Sequence, residues 1–308
     1  MPFFSVIIPL YNKERFVEKT LKSVLAQSFT DFELIIINDG STDKSAEIVT
    51  GFKDERIRYF SEDNQGVSAA RNFGITKAAS KFITFLDADD YWYPDFLQEM
   101  FRNIGRFPEQ KIFTAAIEIE MPEKIFPAQY SVEKKSEPQH LDYFESSSKT
   151  TIICTSCAVF HKSIFEKVGD FDTQIRSGQD TDLWIRMGLI FKVVFSSKIL
   201  ARYVYDSQSL SKNVAYLTQK LNFSKFSEAE KDNPALKKFL DLNRFSFAIR
   251  CKLNNEPEHF HKYRAAIDSR NLSLKKQVLL QLPAALLQAL MQLNLFLVKF
   301  GISRSVFK

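Results

Sequence analysis

Cysteine is scarce in this chain, which has only Cys154, Cys157 and Cys251 among its 308 residues. Cys154 and Cys157 form a CxxC pair, but no second pair is present to complete a four-ligand zinc site. Both lie in the apolar segment 151–160, whose β-branched pattern predicts a buried strand. We therefore expect small core side chains here, and the low cysteine count fits a reducing compartment.

A basic leader is also missing, and the charge of the chain is mild. The apolar run at the start is too short for a signal peptide, so we expect the protein in the cytoplasm. A location at the inner face of the cell membrane agrees with this expectation. A net charge of +5 permits anionic partners such as nucleotides or acidic lipids. That charge is too small to indicate a nucleic-acid partner.

Two glycine-rich phosphate-binding motifs do not occur where they would be needed. No GxGxxG follows the first predicted strand, which disfavours a dinucleotide-dependent dehydrogenase. No glycine-rich, lysine-bearing loop is found there either, and the segment 9–13, PLYNK, is a poor substitute. The absence of this loop also disfavours a sugar nucleotidyltransferase, a class of enzyme that binds metal through acidic residues, although it stays an alternative.

What the first ninety residues contain is an alternation of short β-branched or aromatic runs with helical segments. Such a rhythm is typical of successive βαβ units and predicts an α/β fold with a mainly parallel sheet flanked by helices. The predicted strands are 4–9, 32–38, 57–61 and 82–86. The predicted amphipathic helices are 15–27, 43–52 and 67–79.

The second half of the chain is less regular. A helix over 94–106 and a strand over 112–119 precede the segment 121–149, whose lack of a clean period predicts a long functional loop or lid. The pattern then predicts a helix at 162–168, a loop at 169–179, a helix at 181–189, and strands at 192–195 and 199–205. From 210 onward it is helical, so we expect a catalytic domain over 1–210 and a helical region over 211–308.

The last apolar segment, 278–298, is interrupted by polar residues that include Gln281, Gln288 and Gln292. These glutamines share one helical face and leave a wide apolar face flanked by lysines. Such a helix suits an anionic membrane surface. Packing against the protein itself or a dimer partner is an equal alternative, whereas a membrane span is disfavoured by the polar interruptions.

Acidic residues follow two of the predicted parallel strands. Asp39 follows the second strand, while Asp87 and Asp89 follow the fourth. Ligands of open α/β sheets bind outside the carboxyl ends of the strands. If the strand continues, Asp87 and Asp89 face one way and suit Mg²⁺ or Mn²⁺, although an acidic turn capping the next helix is the structural alternative.

A helix N-terminus is predicted beside these carboxylates. Gly66 opens the helix 67–79, and its backbone permits the close approach of a negatively charged ligand. Arg71 lies one turn into that helix. It is either a salt-bridging structural residue or part of the environment of a diphosphate.

Four ordered segments together resemble the family 2 glycosyltransferases of GT-A fold. They are 5–12 (SVIIPLYN), 37–43 (INDGSTD), 64–72 (NQGVSAARN) and 85–90 (FLDADD). The resemblance extends roughly over residues 3–210. It implies a GT-A domain in which Pro9, Tyr11 and Glu14 frame the nucleotide and Asp39 holds the base. The helical pattern from 210 onward adds a C-terminal helical extension to this domain.

The same resemblance implies the remaining chemistry. Asp87 and Asp89 would bind the ribose, the diphosphate and a Mn²⁺ or Mg²⁺ ion. Asp89 is the stronger candidate for the metal ligand. Asp180 matches the catalytic base, although without the upstream motifs an N-cap of the following helix would be the preferred interpretation. Two departures from the family are Gln179, where a glutamate is common, and the absence of a histidine in 201–211, which leaves the third metal contact open.

These features predict an inverting, metal-dependent glycosyltransferase of hexosyl or N-acetylhexosaminyl type. The expected donor is a UDP-sugar, and the expected acceptor is a hydroxyl of a saccharide or lipid-linked saccharide in cell-envelope polysaccharide biosynthesis. A catalytically degenerate nucleotide-sugar-binding protein is the non-enzymatic alternative, motivated by Gln179 and the missing histidine.

Overall fold

The computed structural model describes residues 1–206 and 221–299. The strands are β1 (Phe4–Leu10), β2 (Phe32–Asp39), β3 (Ile57–Glu62), β4 (Phe82–Phe85), β5 (Tyr91–Trp92), β6 (Ile112–Met121), β7 (Lys124–Pro127), β8 (Gln139–Leu141), β9 (Ala158–His161) and β10 (Val193–Val204). The helices are α1 (Val17–Leu25), α2 (Ser45–Gly51), α3 (Val67–Lys77), α4 (Phe96–Arg106), α5 (Tyr143–Ser146), α6 (Ser163–Val168), α7 (Gln179–Gly188), α8 (Pro234–Leu253), α9 (Pro257–Ala265), α10 (Leu274–Gln281) and α11 (Ala284–Lys299).

The strands of the first half are parallel, as the βαβ rhythm predicts. β1 pairs in parallel with β2 and β4, and β2 pairs in parallel with β3. Every residue of β1 and β2 is buried because helices cover both faces. Helix α3 lies so close to β1 that a Cβ on Gly74 would be 2.4 Å from Cγ2 of Ile7. The predicted α/β class is confirmed.

The second half adds antiparallel and parallel strands to the same sheet, in the order β3-β2-β1-β4-β9-β6-β10-β5. β9 is antiparallel to both β4 and β6. The prediction of a strand over 151–160 is wrong in its first part, because Thr155–Cys157 form a 3₁₀ turn before β9. Cys157 is buried and Cys154 is half-buried, and both are free thiols.

The segment 121–149 is not the unstructured loop that its composition predicts. β6 continues to Met121 and forms a hairpin with β7, and β8 pairs antiparallel with β10. Each element is too short to show a period of its own. The two strands predicted at 192–195 and 199–205 are one strand, β10, which keeps its pairing with β6 through register shifts between Ser196 and Ala201.

The chain divides into two compact units. The first comprises Met1–Ser146 and Thr150–Leu221, and the second comprises Ser147–Lys149 with the chain from Asn222 onward. The expected boundary at residue 210 lies outside the described residues.

In the second unit, side chains of α8 to α11 form a separate apolar core that includes Phe245, Ile249, Leu279 and Leu287. The apolar segment 278–298 is divided between two helices, because α10 ends before Pro283 and proline disfavours helical backbone at the residue before it. None of the helices within 1–206 and 221–299 is long and apolar enough to cross a membrane.

Candidate active site

Asp39 is the last residue of β2 and joins that strand to the turn before α3. Its carboxylate accepts hydrogen bonds from the backbone N–H of Gln65 at 2.7 Å and of Gly66 at 2.9 Å. Burial raises the pKa of Asp39, against the lowering effect of these two bonds and of the positive charge on Arg176. A carboxylate has about four acceptor positions, so a further hydrogen bond to a base is chemically available.

Gly66 is the N-cap residue of α3 and has φ +93°, a backbone conformation that favours glycine. A Cβ at this position would also lie 2.9 Å from Nη1 of Arg176. Arg176, an exposed residue of the loop before α7, therefore reaches over the N-terminus of α3. The helix N-terminus and this guanidinium together favour negative charge here.

Arg71 on α3 forms an ion pair with Asp87. Its Nη2 lies 2.5 Å from Oδ1 of Asp87, and its guanidinium packs over the ring of Phe171 with 5.2 Å to the ring centroid. The Arg71 side chain is 4% exposed, whereas that of Asp87 is 32% exposed. Of the two roles considered for Arg71, the structure contains the salt bridge, and a contact with the donor stays a prediction.

The loop that precedes α7 is bound to α3 beside this ion pair. The Asn72 side chain donates to the carbonyl oxygen of Phe171 at 2.8 Å and accepts from its backbone N–H at 3.0 Å. Phe171 is buried under Arg71. The start of the loop carrying Arg176 is therefore fixed next to Asp87.

Asp87, Asp89 and Asp90 lie on a turn after β4, where a continuing strand was expected. The backbone N–H of Asp90 donates to the carbonyl oxygen of Asp87 at 2.9 Å, which closes the turn. Asp87 and Asp89 therefore do not share a strand face, and each contacts a different cation.

Asp90 is a buried structural residue. Its carboxylate accepts from the Ser156 hydroxyl at 2.6 Å and from the backbone N–H of Val204 at 2.9 Å. Burial raises the pKa of Asp90 well above its usual range, and the charges of Asp89 and Asp87 add to that effect. Asp90 thereby ties the turn to the segment before β9 and to the end of β10.

Asp89 shares an ammonium group with Asp206. The Nζ of Lys13 lies 2.6 Å from Oδ2 of Asp89 and 2.8 Å from Oδ2 of Asp206. Burial lowers the pKa of Lys13, but the two carboxylates outweigh burial and raise it. Burial and the charge of Asp87 raise the pKa of Asp89, against the opposing effect of Lys13.

Three further residues expected around a nucleotide lie at the end of β1. Pro9 is buried within β1, and Tyr11 just beyond it is 47% exposed. The exposed Glu14 accepts a hydrogen bond from the backbone N–H of Lys44 at 3.0 Å, just before α2. Tyr11 is thus the one of the three whose side chain is both aromatic and open to a ligand.

Asp180 lies in the first turn of α7, which begins two residues earlier than the predicted start at Thr181. Gly178 occupies the N-cap position, so the capping alternative for Asp180 is wrong. Its Oδ1 accepts from the backbone N–H of Thr181 at 2.6 Å. Trp184 is buried and stacks on Phe160 at 5.0 Å between ring centroids, as expected of a core residue.

A family model for glycosyl transferase family 2 matches residues 5–169, which is more than half of the chain. The chain belongs to this family. The match begins in β1 and includes every segment on which the sequence resemblance was based, and it ends before the loop that carries Arg176.

Several relatives named as glycosyltransferases match part of the chain. A Rickettsia felis protein named as an uncharacterised glycosyltransferase is 36% identical over 189 residues, 59% of this chain and 29% of that protein. A Rickettsia typhi protein with the same description is 26% identical over 211 residues, 68% of this chain and 66% of that protein. The glycosyltransferase GlyA of Streptococcus pneumoniae is 39% identical over 105 residues, 33% of this chain and 15% of that protein. The chain therefore spans less than two thirds of the length of these relatives.

Solved structures of Staphylococcus aureus TarS have the same fold. One aligns with a TM-score of 0.68 at 18% identity, with 90% of this chain and 52% of that chain covered. A complex of TarS residues 1–349 with UDP-GlcNAc aligns with a TM-score of 0.61 at 16% identity, with 87% of this chain and 91% of that chain covered. The predicted GT-A fold is confirmed by these likenesses.

Three charged residues of this family 2 site were missed by reasoning from the sequence. Lys13 directly follows the first motif but has no pattern that distinguishes it from a surface lysine. Asp206 lies in the segment that was searched for a histidine. Arg176 precedes Asp180 by four positions, and a basic residue there was the available signal.

Asp87 and Asp89 are the right type of ligand for a divalent cation, but they are only two. Asp87 and Asp89 offer the oxygen ligands that Mg²⁺ and Mn²⁺ prefer. Within the described part of the chain, no group of three metal-ligating side chains is assembled. The site therefore fits an ion of the kind that takes one or two protein carboxylates and completes its shell with substrate phosphates and water.

Proposed function

We propose that this protein is an inverting glycosyltransferase that moves a sugar from a nucleotide-sugar to a hydroxyl group. The observation that carries the proposal is the grouping of Asp39, Asp87 and Asp89 after parallel strands of a family 2 chain, beside the N-terminus of α3. The first of these carboxylates is bound to the turn before α3, and the second is paired with Arg71 on the same helix.

The donor half of the site would bind the nucleotide through Asp39 and Tyr11. The exposed ring of Tyr11 offers a stacking surface for a base. Arg176 and the N-terminus of α3 favour the negative charge of a diphosphate. A UDP-sugar is the donor to test first, since the TarS neighbour was solved with UDP-GlcNAc.

Asp89, with Asp87, would hold a Mn²⁺ or Mg²⁺ ion against the donor phosphates. Such an ion neutralises the charge that develops on the departing nucleoside diphosphate. Residues of the chain hold these carboxylates in position. Arg71 pairs with the Asp87 carboxylate, and Asp90 fixes the turn through its hydrogen bond from Ser156.

Asp180 is the proposed catalytic base. Transfer with inversion requires a carboxylate that accepts the proton of the acceptor hydroxyl on the side opposite to the leaving group. Thr181 contacts Oδ1 of Asp180, and within residues 1–206 and 221–299 Oδ2 has no hydrogen bond, so it can accept this proton. Its helix is continuous with the loop that is bound to α3 through Asn72 and Phe171.

The proposed acceptor is a saccharide or a lipid-linked saccharide of the cell envelope, reached at the cytoplasmic face of the membrane. Support comes from α10 and α11, on which Leu274, Val278, Leu286 and Leu293 are exposed. Lys275, which follows Leu274 in the chain, is exposed as well. Apolar and basic residues in this combination suit peripheral contact with anionic lipids.

A panel of nucleotide-sugars tests the proposed function directly. The chain would be incubated with each donor, with and without a saccharide acceptor, in Mn²⁺, in Mg²⁺ and in chelator. We expect release of nucleoside diphosphate from one donor, stimulated by acceptor and lost with chelator. Release of pyrophosphate would instead indicate a nucleotidyltransferase, and donor binding without turnover on every acceptor would indicate a degenerate binding protein.

A further inference from the structure

The ammonium group of Lys13 lies between two carboxylates that come from distant parts of the chain. Asp89 belongs to the turn after β4, and Asp206 follows β10, 193 positions after Lys13. The three side chains are only 15% to 20% exposed. A cation in this position holds together two acidic groups that would otherwise repel each other in a poorly solvated place.

Lys13 occupies one of the two oxygens of Asp89 that a metal ion could use. Lys13 approaches Oδ2 of Asp89 to 2.6 Å, which is full hydrogen-bonding contact. A divalent cation would bind a carboxylate oxygen at about 2.0–2.2 Å. An ammonium group and a divalent cation held by the same carboxylate repel each other, so each weakens the binding of the other.

We propose that Lys13 is a built-in counter-ion of the metal site, which a divalent cation must displace, and that Asp206 is a further carboxylate ligand of that cation. The proposal rests on the metal dependence proposed above. It assigns roles to Lys13 and Asp206, which both lie outside the four motifs.

The displaced ammonium needs a new anionic partner, and the donor diphosphate is one. Lys13 follows β1 directly, on the edge of the sheet where Asp39 and the N-terminus of α3 also lie. Metal alone must therefore displace Lys13 without compensation, whereas metal with a nucleoside diphosphate provides a partner for the ammonium. The two ligands should bind cooperatively, each raising the affinity of the other by the same factor.

Calorimetric titration of the full chain with Mn²⁺, in the presence and absence of UDP, tests this competition. For the wild type, UDP should tighten Mn²⁺ binding by about 5- to 150-fold, the usual range of such coupling. In Lys13→Met the affinity for Mn²⁺ alone should rise, and the coupling to UDP should fall below the wild-type value, leaving the part that comes from direct contact between the metal and the diphosphate. Asp206→Asn should act in the opposite direction and weaken Mn²⁺ binding with UDP present.

Matched variants separate competition from loss of charge in general. Lys22→Met removes a positive charge from an exposed lysine of α1 that pairs only with its helical neighbour Glu18, and should bind Mn²⁺ as the wild type does. Lys13→Arg keeps the charge and should retain the coupling. Far-ultraviolet circular dichroism checks that each variant is folded, and Asp206→Asn provides a second measurement if Lys13→Met is not.

Two results would overturn the proposal, and they are distinguishable. Unchanged Mn²⁺ affinity in folded Lys13→Met, with normal binding by the wild type in UDP, would reject the counter-ion role alone. An absence of Mn²⁺ binding in every variant, even with UDP, would reject the metal site and with it the proposed metal dependence.

Discussion

Arg71 donates from Nη2 to Oδ1 of Asp87 across 2.5 Å while the rest of its guanidinium is enclosed by the protein. Within the described residues, its Nε and Nη1 are buried without a hydrogen-bond partner. Leaving buried donors unpaired is costly, so this arrangement is maintained against a penalty. The ion pair with Asp87 and the ring of Phe171 are what offset it, which makes Arg71 a positioning residue for the acidic turn.

Replacement of Arg71 should therefore impair the chemistry through Asp87. We expect Arg71→Gln to lower kcat/KM by about 10- to 100-fold, the range typical of groups that hold a metal-site ligand in place. Arg71→Lys should recover only part of this, since an ammonium lacks the planar donor arrangement. Steady-state kinetics on the donor that the nucleotide-sugar panel selects provide the measurement, with the exposed Arg106→Gln as a control.

Asp89 should be indispensable for transfer. Asp89→Ala removes the carboxylate proposed to hold the metal and leaves Lys13 with Asp206 alone. We expect sugar transfer to fall to the background level in an assay of acceptor glycosylation. The exposed Asp95→Asn, on the same segment of the chain, should retain activity, and substantial transfer by Asp89→Ala would remove Asp89 from the proposed site.

Asp180→Asn should separate binding from catalysis. The amide keeps the size of the side chain but cannot accept the proton of the acceptor hydroxyl. Transfer should be abolished while the dissociation constant for UDP, measured by titration calorimetry, stays within about twofold of the wild-type value, a free-energy change of only about 0.4 kcal/mol. Full transfer by this variant would reject Asp180 as the base.

The parallel half of the fold could be predicted from sequence because its signals are local. The β-branched strands and amphipathic helices up to residue 86 repeat within windows of a few residues, and the acidic residues follow the strands directly. The order of these strands then brings Asp39 and Asp87 to one edge of the sheet. The prediction needed no long-range information.

The remaining parts of the site depend on contacts that leave no local pattern. Lys13 and Asp206 meet across 193 positions, and nothing in either segment specifies the other. β7 and β8 are too short to show a period and form only because β6 and β10 offer pairing partners. Strand alternation separates Asp90 from Asp89 in sequence, but nothing local shows that Asp90 is buried against Ser156 and Val204.

Glu33 should make the protein sensitive to acid at the end of β2 opposite to Asp39. Its buried carboxylate accepts from the Ser5 hydroxyl, from the backbone N–H of Ala79 and from Arg58. Burial acts to raise the pKa of Glu33, but these three donors outweigh it and lower the pKa. The stabilisation is therefore present above the pKa of the unfolded chain, about 4.3, and is lost as pH falls through the lower folded pKa.

Urea denaturation measures this contribution. At pH 7, Glu33→Gln should reduce the free energy of unfolding by about 1–3 kcal/mol, since the buried donors lose a charged acceptor. The difference from the wild type should shrink as the pH falls below about 4. A difference that persists unchanged in acid would show that shape rather than charge is responsible.

Gly74 and Gly105 provide a matched pair of helical glycines. A Cβ on Gly74 would lie 2.4 Å from Ile7, whereas a Cβ on Gly105 would meet nothing within 4 Å. Gly74→Ala should destabilise the fold by about 1–3 kcal/mol through overpacking. Gly105→Ala should be neutral or stabilising by up to about 1 kcal/mol, because alanine favours helix. Thermal unfolding of the two variants compares them, and equal Tm values would contradict the close packing of α3 on β1.

The two short strands beside β10 have a consequence for the behaviour of the protein in solution. An edge strand with free backbone groups is a template on which other chains add and aggregate. β8 pairs with β10 at Val193–Phe195, and β5 pairs with it again at Ala201 and Arg202. Register shifts bend the strand between these points. The longest strand of the sheet is thus guarded against intermolecular strand addition by segments that contribute no catalytic side chain.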